Sequence, residues 1–298
     1  MRVLVTGANG QVGIAVIEEL ERSGHVAIGV DHSHMDITSP EVVESVVGAA
    51  QVDGIIHCAA YTAVDTAEEE QELCQKVNGY GTENLAKTCN KLGLKMLYVS
   101  TDYVFSGEND GDKSTEKDKY EDKYKENVRP WEPEDRCQPV NVYGRSKQEG
   151  ELAIQTWLDA YFIVRTSWVF GEHGKNFPQT MLRLSETKEQ LRVVADQIGS
   201  PTYTADLARL LVEMIQTQEY GIYHATNEGF CSWYEYACEI FRQANIPIEI
   251  TPVTSEEFLT KARRPKNSRL SKDNLETHGF HRLPPWQEAL SRYLKHII

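Results

Sequence analysis

The sequence predicts an α/β protein: a Rossmann-type, doubly wound parallel sheet with a smaller C-terminal substrate-binding domain. Three observations carry this. Short apolar runs alternate with helical patterns along the chain, which implies parallel strands joined by right-handed crossovers. The first run, Val3-Leu4-Val5, leads directly into Gly7-Ala8-Asn9-Gly10-Gln11-Val12-Gly13 and then a helix pattern through Val16, Ile17 and Leu20. Polar residues gather where successive strands end, which is where ligands bind in open α/β sheets.

The opening turn comes first. In the strand-turn-helix context, Gly7 permits the tight turn, Gly10 lets the backbone approach a pyrophosphate, and Gly13 lets the helix pack closely on the strand. The N-terminus of that helix offers free N–H groups and a positive dipole end to phosphates. The next strand, His25 to Val30, ends in Asp31. An acid there binds adenosine ribose hydroxyls and favours NAD over NADP. A second acid, Asp36, followed by Ile37, leaves that preference open, since it can lie near the adenosine or cap a loop.

Pro40 opens a helix, and Asp53 to Cys58 is a buried strand ending in the small residues Ala59 and Ala60, then Tyr61 and Thr62. Small residues at a strand end let a ligand lie against the backbone. One long helix is predicted from the Glu68-Glu69-Glu70 region to Leu92. Met96 to Val99 is the next strand and delivers Ser100, Thr101 and Asp102 at its end. The stretch 106–138 is different. Its first half is charged, poor in aliphatic residues and repeats Asp-Lys-Tyr, so it reads as a mobile surface excursion or a short exposed helix. Beyond it lie the Tyr143 helix, a strand at Tyr161 to Arg165, a helix from Asn176-Phe177 through Leu184 and a strand at Leu191 to Val194. A turn at 197–202, a helix at Ala205 to Met214 and a strand at Gly221 to His224 follow. An amphipathic helix at Ser232 to Ala244 has Trp233, Tyr236 and Ile240 on one face, and a closing helix begins near Pro285. The expected division is a dinucleotide-binding unit at 1–170, completed by about 201–225, with 171–200 and 226–298 forming the substrate-binding part.

The chemistry centres on Tyr143 and Lys147, which lie one helical turn apart on a single face. An ammonium beside a phenol favours the phenolate, and an oxidised nicotinamide nearby does the same, bringing the tyrosine towards working pH. A hydroxyl from Thr101 can hold a carbonyl beside that phenol. This equips the chain to add a hydride to a ketone and a proton to its oxygen. Ala262 to Ser268 is a basic island that suits either a nucleotide diphosphate or protein carboxylates.

The bulk numbers bound the partners. The chain of 298 residues is 40% hydrophobic and 26% charged, with a net charge of -14, so a nucleic-acid backbone is excluded as a natural partner. The six cysteines form no C-x-x-C pair and read as reduced, mostly buried thiols of a cytosolic protein. No run is long enough to span a bilayer.

Taken in order, the glycine-rich opening, Ser100-Thr101-Asp102 and Tyr143-x-x-x-Lys147 resemble the extended short-chain dehydrogenase/reductase superfamily. Longer strings narrow the resemblance to the dTDP-4-dehydrorhamnose reductase family: Ala59-Ala60-Tyr61-Thr62-Ala63-Val64-Asp65, Ser100-Thr101-Asp102-Tyr103-Val104-Phe105, Asn141-Val142-Tyr143-Gly144, Arg165-Thr166-Ser167-Trp168-Val169-Phe170 and Arg263-Arg264-Pro265. The resemblance implies cytoplasmic, NADPH- or NADH-dependent reduction of C4 of dTDP-4-dehydro-β-L-rhamnose, the last step of dTDP-rhamnose biosynthesis for surface polysaccharide.

By the same resemblance, Tyr143 is the proton donor, Lys147 tunes it and holds the nicotinamide ribose, and Thr101 orients the C4 oxygen. Gly10, Gln11 and Val12 line the pyrophosphate, Asp36 and Ile37 the adenine side, and Ala60, Tyr61, Thr62 and Val99 the rest of the cofactor. Thr101, Asp102 and Trp168 touch the nucleotide sugar. The charged insertion is a departure from the family. So is Ala15, which stands where some relatives carry a glutamate for a dimer-bridging magnesium ion, and no metal site is expected. A homodimer is compatible with the fold. Two other readings share it: a non-catalytic NADP-binding regulatory subunit, and a sister reductase making a different dTDP-6-deoxyhexose.

Overall fold

The computed structural model describes residues 1–108 and 128–298. The chain begins β1 (Arg2–Thr6), α1 (Gln11–Arg22), β2 (Val26–Val30), α2 (Pro40–Ala50), β3 (Gly54–His57), α3 (Val64–Ala67), α4 (Gln71–Gln75), α5 (Thr82–Leu92), β4 (Lys95–Thr101), α6 (Val142–Trp157) and β5 (Tyr161–Thr166). It continues β6 (Val169–Phe170), α7 (Phe177–Ser185), β7 (Gln190–Val194), β8 (Ile198–Gly199), β9 (Thr202–Tyr203), α8 (Thr204–Ile215), β10 (Gly221–His224), β11 (Cys231–Ser232), α9 (Trp233–Ala244), β12 (Glu249–Val253), α10 (Asp273–Thr277) and α11 (Trp286–Ile297). Six strands form one parallel sheet in the order β10-β5-β4-β3-β1-β2. The chain reverses direction across the sheet between β1 and β3, and a crevice opens there at the carboxyl ends.

Strand periodicity explains the layering. Val3 and Val5 face α1 and α8, packing with Val16, Leu20, Leu207 and Leu211. Leu4 points the other way, into a layer with Val43, Val47, Leu85 and Ile154 of α2, α5 and α6. Each such side chain, fully buried, stabilises the fold by roughly 1.5–3 kcal/mol. A further core gathers Phe170, Tyr203, Tyr236, Ile240, Trp286, Leu290 and Tyr293 around α9 and α11. α9 starts with a full capping box between Ser232 and Glu235, which satisfies backbone donors left free at a helix start.

Four features differ from the sequence-based expectations. The predicted single helix from the Glu68 region to Leu92 is divided into α4, a π turn at Lys76–Gly81 and α5, with the short α3 just ahead of it. Asn78 in that π turn is 1% exposed, so the irregularity turns an amide into the interior, as π bulges at functional sites do. The predicted turn at 197–202 contains β8 and β9, two-residue strands too short to leave a period-2 signal. Strand β12 went unseen because Pro252 reads as a strand breaker, yet it pairs in parallel with β7 in a two-stranded sheet. Finally, the second half of the 106–138 stretch is packed. Trp131 is 8% exposed, stacks on Phe105 with ring centres 4.7 Å apart and donates its indole N–H to the Asn267 carbonyl at 3.0 Å. The expected charged excursion falls largely on 109–127, outside the described residues.

Candidate active site

A groove of about 950 Å³ runs along the carboxyl ends of β1, β3 and β4. At its floor Gly7 has φ +66, and a Cβ there would lie 2.7 Å from the Ala59 nitrogen. A Cβ on Gly13 would lie 2.1 Å from the Gly7 carbonyl oxygen. Only glycine fits at either position, and the turn is thereby pressed against the end of β3. Gly10 caps α1 without any side-chain hydrogen bond, so the first N–H groups of α1 are left to the groove, as a pyrophosphate requires. Thr6 braces the cradle. Its hydroxyl accepts the Ala59 N–H at 3.1 Å and bonds His57 Nδ1 at 2.6 Å.

The strip after β3 is held from the π turn. Asn78 accepts the Tyr61 N–H at 2.8 Å, donates to the Tyr61 carbonyl at 3.1 Å, and donates to Ser146 Oγ at 2.9 Å. One buried amide thus links the ligand-facing strip to α6.

Helix α6 presents the tyrosine and lysine. Asn141 caps it by accepting the Gly144 N–H at 2.7 Å. A Cβ on Gly144 would lie 2.1 Å from the Tyr103 carbonyl oxygen, and one on Gly150 would lie 2.6 Å from Tyr98 Oη. These two glycines let α6 lie directly on the β4 end of the sheet. Tyr143 then faces the groove beside Thr101, and burial, only partly opposed by the Thr101 hydroxyl, holds the phenol above its ordinary range.

The expectation that Lys147 lowers the tyrosine is not met by the protein's own groups. Lys147 is 2% exposed, donates to the Val99 carbonyl at 2.8 Å and lies 3.9 Å from the centre of the Tyr98 ring. Its Nζ is turned towards β4, and burial, only partly opposed by Glu151, brings it down to about 7.

At the sugar end, Thr101 donates to Asp102 Oδ1 at 3.0 Å. Burial pushes the Asp102 carboxyl up to about 6, against hydrogen bonds from Ser268 and Thr101. Trp168 has a left-handed backbone, φ +48, which is costly for a bulky residue. It is held there from two elements: its ring stacks on Trp233 at 3.7 Å and 15°, and Gly199 lies so close that a Cβ would be 2.8 Å from its indole carbons. Behind the site, the end of β5 is anchored by Arg165, which pairs with Glu151 at 2.7 Å with both side chains almost fully buried. Glu151 also accepts the Ser100 hydroxyl at 2.6 Å.

The adenosine end is built by turn chemistry. Asp31 Oδ1 accepts from the Ser33 hydroxyl and His34 Nδ1 at 2.6 and 2.7 Å, and Oδ2 accepts from Asn9 at 2.5 Å. These bonds, Ser33 first, hold its carboxyl well below the usual range. Asp36 accepts the Thr38 N–H and hydroxyl at 2.9 and 2.8 Å, so it closes a loop while still lining the groove.

Every residue singled out from the sequence for proton, cofactor or sugar handling lines this one groove. The basic island resolves towards protein carboxylates. Arg264 pairs with Asp65 at 2.6 Å, Lys266 with Asp196 at 3.2 Å, and Arg263 with Glu108; Lys261, just ahead of the island, pairs with Glu69 at 2.5 Å. Sequence reasoning missed Tyr103, Lys175 and Trp233 as lining residues. Trp233 was legible only as the apolar face of its helix, and a lone lysine between Gly174 and Asn176 carries no pattern.

Comparison with known proteins agrees with this geometry. The family model described as the RmlD substrate binding domain matches residues 1–298. The chain is 39% identical over 303 residues to a dTDP-4-dehydrorhamnose reductase of Aggregatibacter actinomycetemcomitans, covering 97% of each. It is 38% identical over 294 residues to the spore coat polysaccharide biosynthesis protein SpsK of Bacillus subtilis, covering 99% of this chain and 97% of the relative. Among solved structures, the dTDP-4-dehydrorhamnose reductase of Bacillus anthracis in complex with NADP superposes with a TM-score of 0.90 at 41% identity, covering 99% of both chains.

Proposed function

We propose that this chain, which belongs to the RmlD substrate binding domain family, reduces the C4 ketone of dTDP-4-dehydro-β-L-rhamnose to dTDP-β-L-rhamnose, the last step of dTDP-rhamnose biosynthesis. The observation that carries the reading is that Tyr143 and the Thr101 hydroxyl line the same groove as the glycine cradle. A proton donor and a ketone-orienting hydroxyl thus share one cavity with a dinucleotide site.

When bound, the reduced nicotinamide of NADPH or NADH supplies the hydride to C4. The chain's own groups do the rest. Thr101 and Tyr143 hydrogen-bond the C4 oxygen, and Tyr143 donates its proton to it as charge develops. A phenol held high by burial stays protonated until that moment. Lys147 swings between the β4 carbonyl and the nicotinamide ribose, placing its positive charge near the phenolate that results. Gly10, Gln11 and Val12 with the start of α1 hold the pyrophosphate; Asp31, Asp36 and Ile37 hold the adenosine; Ala59, Ala60, Tyr61, Thr62 and Val99 line the remainder. Asp102 and Trp168 position the sugar. We assign 1–170 with 201–225 to the cofactor half, and 171–200 with 226–298 to the sugar half. The reaction belongs in the cytoplasm, where the six free thiols are at home.

The test is loss of nicotinamide absorbance with freshly generated dTDP-4-dehydro-β-L-rhamnose, the product identified by NMR. Formation of dTDP-β-L-rhamnose is expected. A C4 epimer would mean a sister reductase, and cofactor binding without oxidation would mean a non-catalytic subunit.

A further inference from the structure

We propose that Lys175 is a phosphate-binding cation at the seam between the glycine-rich turn and the segment that follows β6, a role that rests on the reading of the groove as a dinucleotide and nucleotide-sugar site. Both ligands of that reaction carry a pyrophosphate, on a chain whose net charge is -14. Local cations must offset that field, and few are available. The basic island pairs with Asp65, Glu108 and Asp196, and Lys261 just ahead of it with Glu69. Lys147 is buried on Val99 and Tyr98. Lys76 lies in the field of Asp36. Lys175 lines the groove, and its ammonium has no acidic partner among the described residues.

Its backbone, by contrast, is fixed against the turn that cradles phosphate. The Gln11 amide donates to the Lys175 carbonyl at 3.1 Å. Gly174 has φ +73 and sits so close to Gln11 that a Cβ would be 2.7 Å from Gln11 Cγ. The next residue, Asn176, is 7% exposed. It donates to the Gly171 carbonyl at 2.7 Å and caps α7 by accepting the Gln179 N–H at 3.0 Å. A rooted backbone with a free ammonium, one residue from a buried cap and touching the first residue of α1, is the arrangement a phosphate clamp requires. It also brings a residue from the sugar half onto the cofactor half.

The test measures binding rather than turnover. NADPH and dTDP are titrated separately into wild-type protein, Lys175→Gln and Lys175→Arg, at low and high salt. Loss of one charge-assisted contact at a partly solvated site weakens binding by about fivefold to thirtyfold in Lys175→Gln. Arginine restores most of the affinity, and the difference shrinks as salt rises. Weakened NADPH binding assigns the cofactor's pyrophosphate, and weakened dTDP binding assigns the substrate's; either supports the proposal. Equal affinities for both ligands in wild type and Lys175→Gln, or a loss that arginine does not restore and salt does not reduce, would overturn it. Wild-type protein that bound neither ligand would sink the reductase reading, and the clamp with it.

Discussion

The Tyr98 ring lies against the Lys147 ammonium, its centre 3.9 Å away, and adds to the opposition that Glu151 offers to burial of that charge; replacing the ring should move the pH dependence of the reaction. Lys147 is 2% exposed and burial has already brought it down to about 7. A desolvated ammonium over an aromatic face gains about 2 kcal/mol, and one pKa unit is about 1.4 kcal/mol. Tyr98→Leu should therefore lower Lys147 by about one to one and a half units. The sign follows from the charge: lysine is cationic below its pKa, so the step that needs the cation fails at lower pH in the variant, and the alkaline limb of kcat/KM moves towards acid. Tyr98→Phe keeps the ring and should leave the limb in place. The other titratable groups facing Lys147 (Glu151, Cys58, Cys74 and His57) keep their identity in both variants, and Tyr98→Phe also keeps the ring that stacks on His57. The assay is kcat/KM for the sugar nucleotide from about pH 5 to about pH 9, with urea unfolding to correct for the smaller side chain. A Leu variant with the wild-type limb, or a Phe variant that shifts as far as Leu, would refute the reasoning.

Three further perturbations probe the rest of the site. Tyr143→Phe removes only the proton donor, so turnover should fall by about 10²- to 10⁴-fold while NADPH affinity by titration stays within a factor of about two; turnover near wild type would end its assignment. Gly13→Ala places a methyl 2.1 Å from the Gly7 carbonyl oxygen, and this overpacking should cost about 1–3 kcal/mol in urea unfolding together with cofactor affinity; an unchanged midpoint and unchanged affinity would show that the turn relaxes freely. Glu151→Gln leaves Arg165 charged and buried, which should cost about 3–5 kcal/mol; a loss under about 1 kcal/mol would show that Arg165 finds another counter-charge.

The fold and most of the groove were legible because the signals are local. A glycine turn between a strand and a helix, a Tyr-x-x-x-Lys face and small residues at a strand end each need only a few neighbouring positions to be read. What escaped depends on contacts between distant segments. Nothing around Tyr98 announces that its ring lies beneath Lys147, because Lys147 comes from α6 and Tyr98 from β4. The basic island was ambiguous because its partners Asp65 and Glu108 stand far upstream. Trp168 could be recognised as a motif residue, but its left-handed backbone is set by Gly199 and Trp233. The lysine's influence on Tyr143 was misjudged for the same reason: spacing puts two residues on one face but does not say which way a long side chain turns.

The position of β10 at the edge of the central sheet bears on how the protein is made. Its partner β5 ends at Thr166, while β10 spans Gly221–His224 of a chain of 298 residues. As the chain emerges from the ribosome, β1 to β5 are available well before the strand that covers β5. During that interval Phe162, Ile163 and Val164 stand on an open sheet edge, the kind of surface that pairs with other chains. A slow stretch of translation within α7 to α8 would prolong the exposure, and one placed after β10 would not. A gene cut at the apparent boundary near residue 170 would leave that edge permanently bare, so the two halves should be expressed as one polypeptide or exchanged with β10 kept on the side of β5.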